Sequence, residues 1–463
     1  MVGMKLVKFA LMACFLLPLS VAAEAASASD AKDAFDMWLV AHNSGERSQF
    51  EAFNTRYNVT QDVEDDLDIR DSIGSLQVAE VRRSSPKDVQ VLLVSEWGRA
   101  ILATFEMVPG VPLKVKRQLE GAPMPEAFKP RPMALDALAE EAKRRLDALE
   151  SEDKVSGSFL LARNGQPLFE WHGGLADREA SVAVSPTTRF RFASLGKMFT
   201  AVAILQLVDA GKVSLDKPLS TYLPDYPNRA VADVVTVRQL LNHTGGTGEV
   251  FGDAFNRISN SLRTHRDYWA AFAARPLEFE PGSRDGYSNY GYILLGSVIE
   301  AISGTSYYDY VERHVYRPAG MSSTGAEPEA EAVPRRAHAY TRTDGRWTRE
   351  TESLPWRGTA AGGGYTTAGD LMRFAAALNN GTLLSATSLD AATRAQNHKA
   401  WYGYGFMVSG EGGQRQFGHE GGAPGSNAVL NVKPAAGYVV IGLSNVDPAA
   451  MENTVNYVTQ RLP

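Results

Sequence analysis

The sequence predicts an α+β protein in which distant segments of the chain form one sheet, with a small α+β unit before it. Strand patterns lie near both ends of the region 134–463, and helical patterns with long loops fill its middle. A stretch with four prolines, 121–133, separates this region from residues 30–120. A chain of 463 residues has room for one to three such units.

Residues 1–28 have the pattern of a secretory signal peptide. Lys5 and Lys8 precede an apolar run that ends at Ala23, and small residues follow. The run is too short to span a bilayer comfortably, so we expect an exported protein, periplasmic or secreted, without a stable membrane span. Cys14 lies in a segment that loosely resembles a lipoprotein cleavage box. Lipidation there, or an uncleaved anchor, is the alternative.

The composition excludes several classes of function. Cys14 is the only cysteine, so cleavage would leave no thiol for a disulfide, a nucleophile or a metal cluster. The formal net charge of −6 gives no reason to expect nucleic acid or anionic lipid as a partner. The eight histidines form no H-x-H or H-E-x-x-H pattern, and the glycines at 362–364 lack the Gly-Lys-Ser/Thr ending of a phosphate loop. We therefore expect neither a metal nor a cofactor.

Residues 30–120 are predicted to form an accessory α+β domain. Helical patterns come first, and four strand-like runs follow them, at 77–81, 89–95, 100–108 and 113–119. We find no catalytic constellation in this unit. A packing role is the plain interpretation, and binding to the cell wall or to a protein partner is the alternative.

The region 134–463 begins with a helical pattern, 135–149, and a hairpin that turns at Asn164-Gly165. Helical patterns then dominate to about residue 400. Strand patterns return at 403–408, 426–432 and 437–443, and a helical pattern closes the chain. Strands at both ends with helices between them indicate a single sheet.

Ser194 and Lys197 are the first candidate pair for catalysis. A Ser three residues before a Lys can present a hydroxyl and an amine on one helix face, and a desolvated Lys can lose its proton and activate the Ser. The chain has five such S-x-x-K patterns, so the pattern is weak by itself. Only Ser194 lies between an alternating run and a deeply apolar helix, whose N-terminus would stabilise negative charge. The alternative is a Ser that caps a surface helix.

Tyr287 and Asn289 form the second candidate group, in a glycine-rich stretch, and we expect them on one side of an extended loop. A tyrosine whose proton is drawn off by a nearby cation can act as a general base toward a Ser hydroxyl. An amide can orient a Lys or a substrate. The same Tyr-x-Asn spacing recurs at Tyr226, so an ordinary aromatic turn is the alternative.

His419, Gly421 and Gly422 form the third candidate group. Glycines in a strand let a ligand or another backbone approach closely, and their N–H groups can contribute to an oxyanion hole. His419 is a candidate polar contact to substrate, although a lone His more often belongs to the core or the surface.

Together and in this order, the three groups resemble the S-x-x-K, Y-x-N and K/H-x-G boxes of serine β-lactamase-like and penicillin-binding proteins. That superfamily includes class C β-lactamases, D-alanyl-D-alanine carboxypeptidases, D-aminopeptidases and related esterases. The stretches 237–246 and 361–371 look similar to family segments as well, and the resemblance covers about 135–462. It implies an antiparallel sheet flanked by helices, beside a helical lobe.

The resemblance implies that Ser194 is acylated, with Lys197 as its partner and Tyr287 as the general base. The backbone N–H groups of Ser194 and Gly422 would form the oxyanion hole. The residues expected to bind the substrate or the oxyanion are Asn289, His419, Gly421 and Gly422. The implied substrate is an ester, an amide or D-amino peptide, or a β-lactam.

Two departures from the family pattern bear on the substrate. The third box begins with His419 instead of Lys, which looks more like the carboxypeptidase and esterase branches, and Glu420 replaces the usual small hydroxyl residue. A carboxylate that faces the pocket would repel an anionic substrate, whereas strand alternation can turn it to the other face. We therefore expect an esterase or a D-amino peptidase in preference to an efficient β-lactamase.

Two other classes compete with this interpretation. An α/β-hydrolase would need a G-x-S-x-G elbow, and no Ser in the chain meets that pattern. The more serious rival is a non-catalytic binding or sensor protein that keeps the fold. Such a protein would not need Ser194, Lys197 and Tyr287 together, and their joint presence favours an enzyme.

Overall fold

The computed structural model describes residues 30–109, 113–343 and 345–463. The predicted signal segment, with Cys14, lies outside these residues. Two larger antiparallel sheets organise the described chain, one of four strands in the N-terminal unit and one of six strands in the region that follows. Within the described ranges, each helix is too short or too polar to traverse a lipid bilayer.

The N-terminal unit consists of three helices followed by four strands that pair in chain order. Asp30 caps the first helix in a capping box with Asp33, and Gly45 ends it in the left-handed conformation. Alternate residues of the sheet pack on the aromatic side chains of Phe35 and Trp38, so the unit has its own core. Its elements are α1 (Ala31–Ser44), α2 (Arg47–Arg56), α3 (Val63–Ile73), β1 (Leu76–Ser84), β2 (Asp88–Ser95), β3 (Ala100–Val108) and β4 (Lys114–Ala122). The four strands overlap the four predicted runs, and β4 begins one residue later than predicted.

The predicted linker, 121–133, is partly structured. β4 continues to Ala122, and a short 3-10 turn spans Glu126–Phe128. The N–H of Met133 donates to the carbonyl of Arg461 at 2.9 Å. The C-terminal end of this stretch is therefore held against the end of the chain.

The strands of the second region come from its two ends and from short ladders between them. They are β5 (Gly157–Arg163), β6 (Gln166–Gly173), β7 (Leu175–Asp177), β8 (Val182–Ala183), β9 (Phe190–Arg191), β10 (Tyr340–Thr343), β11 (Arg346–Arg349), β12 (Tyr365–Thr366), β13 (Met407–Ser409), β14 (Gln416–Ala423), β15 (Ser426–Lys433) and β16 (Tyr438–Ser444). The main sheet has the order β13-β14-β15-β16-β5-β6, with Gly157 paired to Ser444. The prediction of one sheet from distant segments is confirmed.

Helices cover both faces of this sheet. They are α4 (Leu135–Ser151), α5 (Gly196–Asp209), α6 (Arg229–Ala232), α7 (Val237–Leu241), α8 (Asp253–Asn256), α9 (His265–Phe272), α10 (Asn289–Ser303), α11 (Tyr307–Val311), α12 (Arg317–Ala319), α13 (Ala368–Asn379), α14 (Ala386–Ala392) and α15 (Ala450–Thr459), with a π-helical turn at Glu312–Tyr316. Phe159 and Leu161 of β5 pack with α4 and α15, whereas Leu160 and Ala162 join the larger core with α5 and α13. A strand buried on both faces explains its continuous apolar run. The predicted fold class is confirmed.

The predicted strand at 403–408 is wrong over most of its length. Only Met407 and Val408 of this run pair with β14. Gly405 has a φ of 79°, and a Cβ there would come within 2.2 Å of Ala201 and 2.9 Å of the Lys197 carbonyl oxygen. The chain therefore passes over α5 at contact distance, and the positive φ of Gly405 interrupts the extended conformation there.

Candidate active site

Ser194 lies in a 3-10 turn, Ala193–Leu195, that leads into the buried helix α5. Ala193 has a φ of 43°, which is uncommon for a residue with a Cβ. Its carbonyl accepts the N–H of Gly363 at 3.1 Å. A Cβ on Gly362 would lie 2.4 Å from the same oxygen. The glycine loop at 362–364 thus packs directly on the strained turn and holds it in place.

Lys197, the second residue of α5, is fully buried next to Ser194. Its Nζ donates to Ser194 Oγ at 3.1 Å, to Asn289 Oδ1 at 2.6 Å and to the Ala361 carbonyl at 2.6 Å. Burial lowers the pKa of this amine to about 7, and the negative charge of Glu249 acts in the opposite direction. An amine with this pKa exchanges its proton near neutral pH, which suits it to accept the Ser194 proton.

Tyr287 closes the cluster from the segment just before α10. Its phenol hydrogen-bonds with Ser194, and Lys197 Nζ lies 4.8 Å from the centroid of its ring. The residue keeps 37 % of its surface exposed. Burial raises the pKa of the phenol above its usual value, and its contact with Ser194 partly offsets the rise. The resting phenol is therefore protonated, and the electrostatics favour Lys197 as the group that first takes the serine proton.

Asn289 is brought to the same cluster, but not on an extended loop as the sequence pattern suggested. It is the first residue of α10, and the Ser288 side chain caps that helix by accepting the N–H of Gly291. The Asn289 amide donates to Glu249 Oε2 at 2.5 Å and accepts from Lys197. The structure therefore orients Asn289 toward Lys197, one of the two roles expected for it.

His419 is buried behind the cluster, with 2 % of its surface exposed. Its Nε2 is paired with the Tyr402 hydroxyl at 2.9 Å, and its Nδ1 donates to the Glu420 carbonyl at 2.5 Å. Burial lowers its pKa to about 3, so the ring is neutral near pH 7. His419 does not line the cavity at Ser194. Its predicted contact with substrate stays a prediction.

Glu420 points to the opposite face of β14. Its Oε1 accepts from Asn456 of α15 at 3.0 Å. The carboxylate therefore lies behind the sheet and cannot repel a ligand in the cleft directly.

Gly421 and Gly422 lie beside the nucleophile. A Cβ on Gly421 would come within 2.9 Å of the Ser194 nitrogen, so the backbone of β14 passes the turn at contact distance. Gly422 lines the same cavity as Ser194. This placement suits the oxyanion role predicted for the pair.

A cavity of about 350 Å³ opens over Ser194. Its apolar side chains include Phe251, Phe255, Leu354, Pro355 and Pro424. Arg191 and Glu329 also line it, joined by an ion pair at 2.6 Å.

Among the described residues, one group has the side chains of a metal site. Ligand atoms of Asp177, Glu179 and His338 lie within 4.8 Å of one another. Arg349 donates to His338 Nε2 at 3.1 Å, which leaves the ring proton on Nδ1, facing Asp177. Neither nitrogen then offers a lone pair to an ion, and Glu179 already accepts from the Tyr340 hydroxyl. This group is better described as a hydrogen-bonded network.

Sequence reasoning missed three contributors to the site. One is the Ala361 carbonyl, which accepts from Lys197, and another is the His243 ring, which lies 4.3 Å from the Tyr287 ring. Both belong to the stretches 237–246 and 361–371, to which the sequence analysis assigned no role. Glu249 had no signal, because a single acidic residue in a glycine-rich loop is common. Its role follows only from its contact with Asn289.

The Ser-Lys-Tyr cluster beside this sheet is typical of a class of serine hydrolases, and comparison with known proteins agrees. A family model described as Beta-lactamase matches residues 139–462. The chain belongs to the β-lactamase family, and the recognition made from its motifs is confirmed.

Individual relatives span several activities. The putative penicillin-binding protein PbpX of Bacillus subtilis is 29% identical over 330 residues, which cover 69% of this chain and 80% of the relative. Esterase EstB of Burkholderia gladioli is 37% identical over 228 residues, 44% of this chain and 57% of the esterase. The crystal structure of a penicillin-binding protein from Bacillus halodurans superimposes with a TM-score of 0.62 at 33% identity, and covers 67% of this chain and 97% of that one.

Proposed function

We propose that the protein hydrolyses acyl compounds through an acyl-enzyme on Ser194 and that uncharged esters are its preferred acyl donors. The observation that carries the proposal is the hydrogen-bonded cluster at the base of the cavity. Lys197 Nζ lies 3.1 Å from Ser194 Oγ, and the Tyr287 phenol bonds to the same serine. These are the groups that acyl transfer needs, a nucleophile, a base and an acid.

In the proposed acylation step, Ser194 Oγ attacks the acyl carbon while its proton passes to the neutral amine of Lys197. The backbone N–H groups of Ser194 and Gly422 stabilise the oxyanion. The bond to the leaving alcohol then breaks, and the alcohol takes a proton from Tyr287, which is re-protonated from Lys197. Attack of water on the ester of Ser194 releases the acid and restores the serine.

The charges around the cavity support a substrate without a carboxylate. Among the described lining residues, Arg191 is the sole cation, and it is already paired with Glu329, which Arg336 also contacts at 3.7 Å. His419 stands at the Lys or His position of the third box, and burial keeps it neutral. An anionic group, such as the carboxylate of a D-Ala-D-Ala peptide or of a β-lactam, would have to compete with Glu329 for Arg191, whereas the apolar lining suits a neutral ester. The likeness to esterase EstB points in the same direction.

Activity-based labelling tests the proposal. A fluorescent fluorophosphonate should modify the wild-type protein and leave Ser194→Ala unmodified, with thermal unfolding unchanged between the two. A panel of p-nitrophenyl butyrate, a D-Ala-D-Ala peptide and nitrocefin should then give the largest kcat/KM with the ester. A folded wild-type protein that forms no adduct and turns over none of the three would instead support the non-catalytic binding protein.

We also propose that residues 1–28 direct export. The basic start, the apolar run and the small residues after it support this. The mass of the protein recovered from the periplasm or medium should correspond to a chain without this segment.

A further inference from the structure

Glu249 lies beside the catalytic cluster with its carboxylate held at both oxygens. Its Oε1 accepts the N–H of Val250 at 2.6 Å and of Phe251 at 3.0 Å, which anchors the side chain to its own loop. Its Oε2 accepts from Asn289 Nδ2 at 2.5 Å. The carboxylate does not line the cavity over Ser194, so its position suits an action on Asn289 and not on a substrate in that cavity.

The Asn289 amide connects Glu249 to Lys197. Its Nδ2 faces the carboxylate, and its Oδ1 accepts from Lys197 Nζ at 2.6 Å. In the reverse orientation, the amide would turn its N–H donors toward the Lys197 donors and its oxygen toward the carboxylate, and both contacts would be repulsive. Glu249 thus selects the amide orientation that holds Lys197.

We propose that Glu249 is a positioning residue, which orients Asn289 and thereby keeps the amine of Lys197 at hydrogen-bond distance from Ser194 Oγ. Its negative charge also favours the ammonium form of Lys197 over the neutral amine. The inference rests on the proposed serine hydrolase function, since it concerns the same site.

The other titratable groups that face Lys197 are uncharged near pH 7, so Glu249 is the charged group that acts on the protonation of its amine. Tyr287 and Tyr292 present ring faces, with centroids 4.8 and 5.5 Å from Nζ. His243, after α7, and His419, on β14, lie near the amine, and burial lowers the pKa of both below the usual range. Both histidines are therefore neutral near pH 7, and the two phenols are protonated because burial raises their pKa.

The pH dependence of labelling separates positioning from a merely structural role. We expect the rate of fluorophosphonate labelling to fall below about pH 7 in the wild type, as Lys197 becomes protonated. In Glu249→Gln the missing charge destabilises the ammonium, so this acid limb should move to lower pH by roughly 0.5 to 1.5 units. The plateau rate should fall about 10- to 100-fold, because Asn289 loses its orientation.

Two further variants complete the design. Glu249→Asp keeps the charge but shortens the reach to Asn289, so its plateau should fall while its acid limb stays near that of the wild type. Glu278→Gln removes an exposed carboxylate from the next segment of the same lobe, and we expect both limb and plateau to match the wild type. If Glu249→Gln does not fold, the plateau labelling rate of Glu249→Asp decides whether Glu249 positions Asn289.

The outcomes distinguish this inference from the proposed function. A labelled wild type with an unchanged profile in Glu249→Gln, or an unchanged plateau in Glu249→Asp, overturns the role of Glu249 and leaves the hydrolase intact. An unlabelled wild type overturns the hydrolase. In that case an NMR titration of the Lys197 Nζ signal, assigned by its loss in Lys197→Met, still decides whether Glu249→Gln lowers the pKa of the amine.

Discussion

Strand β14 separates two clusters of buried charge that are built in opposite ways. On the face toward α5, Lys197 is surrounded by uncharged acceptors, a hydroxyl, an amide and a carbonyl oxygen. On the face toward α15, Glu452 meets the guanidinium of Arg99 at 2.7 Å. A contacting counterion opposes the loss of a buried charge, whereas a buried charge without one shifts its pKa and can exchange a proton. The pair of Glu452 and Arg99 suits a structural link, and the isolated amine of Lys197 suits chemistry.

The cluster behind β14 also links the N-terminal unit to the strand of the site. Arg99 belongs to the turn before β3, whereas Glu452 lies in the first turn of α15 and its N–H donates to Asn427 Oδ1 at 2.9 Å. Burial raises the pKa of Glu452, the nearby charge of Glu420 adds to the rise, and Arg99 opposes it. Asn427 in turn pairs with Gly422 across β14 and β15. We therefore expect the accessory unit to support the back of the site, while binding of a further partner stays a prediction.

The largest effect should follow removal of the unpaired charge. Lys197→Met should lower kcat/KM at least about 1,000-fold, because the serine loses its base. Its effect on stability should depend on pH. The folded-state pKa of about 7 lies below the ordinary value of 10.5, so the folded protein binds fewer protons than the unfolded chain between these values. Wild-type stability should therefore rise with pH there, by about 5 kcal/mol in total.

Urea unfolding at pH 7, 8 and 9 measures this slope. We expect it to be shallower in Lys197→Met than in the wild type and unchanged in Lys399→Met, an exposed control. Equal slopes in all three proteins would show that Lys197 titrates at its ordinary pKa.

A smaller effect, on stability alone, should follow loss of the counterion. Arg99→Met leaves the Glu452 and Glu420 carboxylates facing each other without a cation, and we expect a loss of about 1–3 kcal/mol, since Arg99 is one third exposed. Glu452→Gln in the same protein should restore part of that loss. The exposed Arg82→Met serves as control in urea unfolding. If Glu452→Gln restores none of the lost stability, the ion pair with Glu452 is not the source of the stability that Arg99 contributes.

The smallest effect should come from Glu420→Gln. The substitution keeps an oxygen for Asn456 and removes one of the two carboxylates, so stability should change by less than about 1 kcal/mol and ester hydrolysis should stay within about threefold of the wild type. A large change in the relative rates for ester and carboxylate-bearing substrates would instead mean that Glu420 acts on the cleft.

The core of the site could be predicted because its residues carry local signals. Ser194 precedes an apolar helix and Lys197 lies in its first turn, and the motif order then located Tyr287 and Asn289. The side-chain direction of Glu420 needed the strand register, and its partner Asn456 lies on a helix far along the chain. Periodicity narrows such a direction to two faces but does not say what each face meets.

Other features followed from packing that no local pattern reports. The segment 403–408 reads as a strand, but Gly405 lets it cross α5 at contact distance. Glu249 is an ordinary loop acid until the amide of Asn289 is placed against it. Both depend on contacts between segments distant in the chain, which hydrophobic pattern alone cannot supply.

The pairing of β5 with β16 also has a consequence for synthesis on the ribosome, because the main sheet cannot be completed until its C-terminal strands have been made. Ser194 and Lys197 emerge early, but β14 brings Gly421 and Gly422 to them only when the last strands are made. Contacts between such remote segments form late and slowly. A nascent or C-terminally truncated chain therefore carries Ser194 without the backbone of β14 beside it, and we expect the proposed acylation only after β14 has joined the sheet.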